Sequence, residues 1–200
     1  MINFHKKWIK NSYVKIKDEY QLLDKLDQEL GDGDHGTTIY RGLEHAVNSF
    51  TTIDQNEPIL FMKDISKTMR IAMGGASGIL MSIFFAEIGN LQKLNSSILD
   101  ILNNTIIKIK KRGNVKVGDK SILDVYVPIF NYLENNNQYQ IDNLMKLIDD
   151  SVNKTKLMKA NVGRAKFLET KGVGVIDPGA LSTSMILKEF FKERNNEENI

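Results

Sequence analysis

The sequence predicts an all-α protein of about eight helices. Three observations predict it. Apolar residues recur at steps of three and four along most of the chain, as the buried stripe of an amphipathic helix requires. Long segments lack the period-2 alternation of strands. The glycines collect in four clusters that fall between helical patterns: GDGDHG (31–36), GGASG (74–78), GNVKVGD (113–119) and KGVGVIDPG (171–179).

Taken in order, Trp8, Ile9, Tyr13 and Ile16 mark a helix near 3–17, and Leu22, Leu23, Leu26 and Leu30 a second near 18–30. Helices near 37–52 and 59–72 follow, the latter on Met62, Ile65, Met69 and Ala72 after Pro58, a residue suited to a helix start. The stretch Ile79–Ile88 is the most apolar of the chain, and it gives a helix at 77–91. It is about half a membrane span and contains Glu87, so it reads as a buried helix. Ile98, Ile101, Leu102, Thr105 and Ile109 predict 96–112. A helix at 119–134 contains Pro128, which implies a kink or a later start. NNNQYQ (135–140) is a polar connection to a helix at 141–159, and a last helix lies near 180–194. Merging two neighbours changes the count by one. The tail from about 194 to 200 is polar and expected to fray. No repeat or linker divides residues 1–200, so one domain is expected.

The bulk composition narrows the function. Acidic and basic residues nearly cancel, at a formal charge of +2, so nucleic acid is not an expected partner. The absence of cysteine excludes disulfides, thiolate nucleophiles and cysteine zinc sites. The N-terminal segment MINFHKKWIKNSY is too polar for a signal peptide. These features suggest a cytoplasmic protein with no membrane partner.

In an antiparallel helical array, alternate junctions lie at one end. Four glycine-rich junctions there would bring backbone N–H groups and helix N-termini against an anion. The strongest motif is LDQELGDGDHG (26–36). It puts Asp27, Asp32 and Asp34 within eight residues, where the bare carboxylates would repel. A hard divalent cation explains the clustering, and magnesium prefers such oxygen ligands. The alternative is an Asp-rich turn in which Asp34 caps the next helix. In GGASG, Ser77 can cap a helix or donate to a phosphate or ribose oxygen; a tight helix–helix turn is the plainer reading. GNVKVGDKS (113–121) nearly spells a P-loop. It has an aspartate before the lysine and follows a helix instead of a strand, so that reading is rejected. Asp119 is expected to cap the following helix, with Asp124 in its first turn. Arg164 could pair with phosphate oxygens through its planar fork, or be a solvated arginine. Asp177-Pro178-Gly179 is a turn by its chemistry.

These clusters together resemble the L subunit of dihydroxyacetone kinases, the ADP-binding partner of a dihydroxyacetone-binding K subunit. The resemblance runs from about Leu22 to Leu187. LDQELGDGDHGTTIYRG, MGGASGILMSIFF, KRGNVKVGDKSILDVYVP, GRAKFL and DPGALSTSMIL stand in the family's order. It implies a barrel-like array of eight antiparallel helices with a nucleotide site at one end, where Asp27, Asp32 and Asp34 hold two magnesium ions. It further implies ADP or ATP contacts from His35, Gly36, Thr37 and Thr38, from Ala76 and Ser77, from Gly113 and Ile122, from Arg164, and from Asp177, Pro178 and Gly179. Asp27, Asp32, Asp34 and Arg164 would carry the catalytic role. The segment ETKGVGV departs from the family's usual loop after GRA, which leaves the shape of 166–176 open.

The resemblance implies a phosphotransferase of glycerol and dihydroxyacetone metabolism. Its nucleotide half passes a phosphoryl group to dihydroxyacetone on the K subunit, and ADP is recharged in place by a phosphorylated M subunit of the phosphotransferase system. A chain with His5, His35 and His45 as its histidines and no substrate module fits the nucleotide half alone. ATP as donor, a related ketone as acceptor and a homodimer stay open. The alternatives are a nucleotide-binding regulator and a module related to fatty-acid kinases. The intact aspartate triad argues against the first, GDGDHGT and the short chain against the second.

Overall fold

The structure describes residues 2–54, 56–91, 97–136 and 138–198. In the computed structural model these residues form eight α-helices and no strand: α1 (Ile2–Leu30), α2 (His35–Asn48), α3 (Pro58–Met73), α4 (Gly75–Leu91), α5 (Ile98–Gly113), α6 (Leu123–Glu134), α7 (Ile141–Thr155) and α8 (Pro178–Glu198). Each helix packs on its successor, and α8 closes on α1, so the helices form a ring. Mostly short junctions make neighbours antiparallel. The α1/α2, α3/α4, α5/α6 and α7/α8 junctions therefore share one end of the barrel, and these are the four glycine-rich ones. No helix is long and apolar enough to cross a membrane, among the described residues.

The core is apolar and aromatic. Trp8 is fully buried, stacks on Phe85 at 4.7 Å and meets Phe84 and Phe190 edge-on. Its Nε1 donates to the Ile186 carbonyl at 3.0 Å, which satisfies the indole and ties α1 to α8. Along α4, Met81, Ile83, Phe84, Phe85 and Ile88 are all buried. Glu87 is buried among them and is compensated by an ion pair with Lys108 of α5. The backbones of α1 and α2 approach so closely that a Cβ on Gly36 would lie 1.9 Å from the Tyr20 carbonyl oxygen.

Several expected boundaries shift. The helices expected at 3–17 and 18–30 are one, because no Gly or Pro interrupts them. The buried seam thins to Ile16, Leu23 and Leu30, and Leu22 is exposed. The helix expected over 37–52 starts at His35 and gives way to a 3-10 turn at Ser49–Thr51. The helix expected from 119 starts at Leu123, since Lys120 has a left-handed backbone (φ +62°) that no helix accommodates. Pro128 lies inside α6, so the Asp124 carbonyl loses its i+4 donor. The helix expected to reach 159 ends at Thr155. The tail does not fray at 194: α8 continues to Glu198. Residue 96, the expected start of α5, and residues 199–200 lie outside the described residues.

Candidate functional site

The glycine-rich end of the barrel holds a cavity of about 440 Å³. Its walls come from the end of α1 and the turn after it (Asp27, Gly31, Asp32, Asp34), the start of α4 (Ala76, Ser77, Leu80), and the end of α5 (Arg112, Gly113). Lys120, Ser121 and Ile122 before α6, residues 160–165, and Asp177-Pro178-Gly179 complete them.

One carboxylate oxygen each of Asp27, Asp32 and Asp34 lies within 4.8 Å of the others. Their surroundings separate the roles. Asp27 Oδ2 accepts the N–H groups of Gly33, Asp34 and His35 at 3.0, 3.1 and 3.2 Å, so Asp27 shapes the turn and caps the start of α2. Asp34 stands at the N-cap position of α2, yet its side chain makes no cap bond. The capping alternative for Asp34 therefore fails. Asp32 and Asp34 are solvent-exposed, and Arg164 Nη2 lies 2.7 Å from Asp32 Oδ2. The donor set is all oxygen, which suits a hard cation such as magnesium and not zinc or copper.

Two other carboxylates fix the starts of α8 and α6, the first as a cap and the second by holding the loop that enters the helix. Asp177 Oδ2 accepts the Ala180 N–H at 2.7 Å, and the Asp177 N–H donates to Thr155 Oγ1. Burial pushes the Asp177 carboxyl up to about 6, against the Ala180 N–H and the Lys120 ammonium, which favour its charge. Asp124 accepts from Gly118 N–H at 2.6 Å and Ser121 N–H at 2.8 Å. Asp119 does not cap α6 as expected. It accepts instead from Lys116 N–H and Asn161 Nδ2, and so braces the loop on either side. By contrast α4 opens on Gly75-Ala76-Ser77, which carry no carboxylate. Their N–H groups stand in a first turn, where helix geometry supplies no acceptor, and Ala76 and Ser77 line the same cavity as the acidic cluster.

Of the positions read from sequence, Asp27, Asp32, Asp34, His35, Ala76, Ser77, Gly113, Ile122, Arg164, Asp177, Pro178 and Gly179 all line the cavity. Gly36, Thr37 and Thr38 do not. Gly36 is pressed against α1, Thr37 gives its N–H and hydroxyl to Asp24, and Thr38 is buried. The His35 backbone N–H goes to Asp27. Its ring is buried with Nε2 2.8 Å from Ser182 Oγ. Burial lowers the His35 pKa against the nearby carboxylates of Asp27, Asp24 and Asp34. Lys120 and Arg112 are cavity residues that the sequence did not reveal. Lys120 follows the aspartate that spoils the P-loop pattern, and Arg112 ends a run of solvated basic residues.

The DAK2 domain model matches residues 29–192. The chain is 31% identical over 186 residues to the PEP-dependent dihydroxyacetone kinase 1 ADP-binding subunit DhaL of Listeria innocua, covering 90% of each chain. It is 28% identical over 183 residues to the PTS-dependent dihydroxyacetone kinase ADP-binding subunit DhaL of Lactococcus lactis, covering 90% of this chain and 92% of that one. In fold it is similar to the crystal structure of the Citrobacter freundii dihydroxyacetone kinase in complex with AMP-PNP and Mg2+. The TM-score is 0.76 at 22% identity, and the match covers 94% of this chain but 33% of that one. An all-helical ring with its cavity at the glycine-rich end, matched over nearly its whole length, places this chain in the DAK2 domain family.

Proposed function

We propose that this chain is the nucleotide-binding subunit of a dihydroxyacetone kinase, acting on dihydroxyacetone held by a separate K subunit. The observation that carries this reading is the convergence of Asp27, Asp32 and Asp34 on a cavity that the open start of α4 and Arg164 also line. An acidic cluster beside positive anion-binding groups suits a metal–phosphate pair better than either ion alone. Relatives matched over about nine-tenths of their length are ADP-binding subunits of PEP-dependent or PTS-dependent kinases, which favours a phosphoenolpyruvate-dependent system. Our reading therefore has ADP recharged in place by an M subunit.

Asp27, Asp32 and Asp34 would hold magnesium, with two ions as the expected number. Bound magnesium supplies neutralisation of phosphate charge, and the nucleotide supplies the phosphoryl-carrying group. The residues of the chain do the rest. Ala76 and Ser77 offer backbone N–H groups, and Arg164 offers its guanidinium to the group being transferred. Leu80, Val115 and Ile122 form an apolar wall suited to a base and to exclusion of water. Gly113 and the Asp177–Gly179 turn close the sides. We assign Gly36–Thr38 to holding α2 in place. No protein nucleophile is required of this chain.

The test is an activity assay of the purified chain with dihydroxyacetone and a phosphoryl donor, with and without a K subunit. We expect no turnover by the chain alone and turnover once the partner is added. Turnover alone, or full activity with the partner after combining Asp27→Ala and Arg164→Ala, contradicts the proposal.

A further inference from the structure

We propose that Lys120 is a positioning residue: it clamps the base of loop 156–177 to the barrel and thereby sets Arg164 over the acidic cluster. This inference rests on the nucleotide reading above. Residues 156–177 form the long connection between α7 and α8, with a single 3-10 turn at Ala165–Phe167. They supply one whole wall of the cavity, including Gly163, Arg164 and Asp177. A segment with so little regular structure needs external fixing to present a side chain reproducibly.

Its two limbs are joined to each other by Ala160 N–H to Lys171 O and Gly174 N–H to Lys156 O, both 2.8 Å. Besides the Asp177 N–H bond to Thr155 Oγ1, the pair Asp119-Lys120 joins this closed loop to the barrel. Asp119 accepts Asn161 Nδ2 at 3.0 Å and, through its carbonyl, the Asn161 N–H at 3.2 Å. Lys120 Nζ donates to Thr155 O at 2.7 Å, where α7 ends, and also to Val175 O, where the loop returns. One ammonium thus ties both feet of the loop. It also sits at the negative end of α7, where a cation is favoured. Its stem passes under Gly172, whose added Cβ would lie 3.3 Å from Lys120 Cε and 2.6 Å from Leu30 Cδ2. From this base the loop carries Arg164 to Asp32.

The position is costly for the fold. Lys120 is buried, and its backbone is left-handed. An apolar side chain would fill the same space, but it would leave the Val175 carbonyl without its donor and Thr155 O with only the Met158 N–H. Burial lowers the lysine pKa while Asp177 supports its charge, so the ammonium is held between the two ends of the loop and the cap of α8.

The test uses Lys120→Met and Lys120→Arg in the full chain, alone and with Arg164→Ala. Amide exchange at Ala160 and Gly174 reads the loop, and titration with ADP plus magnesium reads the site. We expect Lys120→Met to exchange at least about 10-fold faster in the loop and to bind at least about 10-fold more weakly, with Lys120→Arg in between. Arg164→Ala should weaken the parent chain but add less than about 2-fold in the Lys120→Met background, because Arg164 is already displaced. Unchanged loop exchange, or losses from the two substitutions that multiply independently, overturns the inference. Should Lys120→Met not fold, Gly172→Ala displaces the loop from above the lysine stem. Parent-like exchange and affinity in that variant overturn the inference equally. A parent chain that binds no ADP overturns the nucleotide reading instead, and that is seen before any variant is made.

Discussion

Asp177 joins two jobs that conflict. It caps α8 through the Ala180 N–H, and it does so from a site where burial raises its carboxyl to about 6. The folded state therefore holds a proton that the unfolded chain releases near its ordinary value of 3.8. Stability from this group is full below about pH 4 and is lost as pH rises through 6. Buried His5, lowered to about 4, acts in the opposite sense over the same range, so the parent chain alone does not isolate the effect. Asp177→Asn does. In chelator, its stability relative to the parent should rise between pH 4 and 7 by on the order of 2–3 kcal/mol, read by urea unfolding at each pH. A difference that stays flat with pH would refute the assignment. At this scale the sequence showed chemistry better than contacts. Three carboxylates in eight residues mark a candidate cation site before their fold is known. The partners of Asp119, Lys120 and Thr37 depend on which loop or helix arrives beside them, and local pattern does not carry that.

The elements were legible where the apolar period is strong and a breaker follows, as for α3, which starts on Pro58 and ends at Gly74. Boundaries failed where a side chain from elsewhere decides them. Thr155 ends α7 with its carbonyl on Lys120, and Asp124 reaches back to fix the loop before α6. The split drawn between 17 and 18 failed for another reason: the buried face of α1 narrows without the helix breaking. Gly36 was read as part of an anion loop, but its observed role is helix packing. Gly36→Ala would push a methyl into the Tyr20 carbonyl, backbone against backbone, with no flexible side chain to yield. We expect a loss of about 2 kcal/mol or more in denaturant unfolding, with the helices retained. A loss under about 0.5 kcal/mol would show that α1 and α2 are farther apart than described.

For the whole molecule, the ring topology turns four separated glycine clusters into one site, because alternate junctions of an antiparallel array share an end. This was the part of the fold most directly readable from sequence. The cavity mouth also gathers carboxylates that repel when no cation is present, so ligand should stabilise the barrel. ADP with magnesium at ~100 times its dissociation constant adds about 2.7 kcal/mol by mass action, and thus roughly 5–10 °C in Tm for a chain of this size. Neither ADP nor magnesium alone should reproduce that shift.

The most direct test of the central claim, that the aspartate cluster holds nucleotide through a divalent cation, is calorimetric titration of ADP. It is run on the parent chain in magnesium, on the parent chain in chelator, and on Asp34→Asn in magnesium. Circular dichroism confirms that each sample is helical. Saturable binding in the first, with loss of at least about 100-fold in affinity in the other two, is the predicted result. Equal affinity in all three would contradict it, since the carboxylates would then have no part in holding the nucleotide.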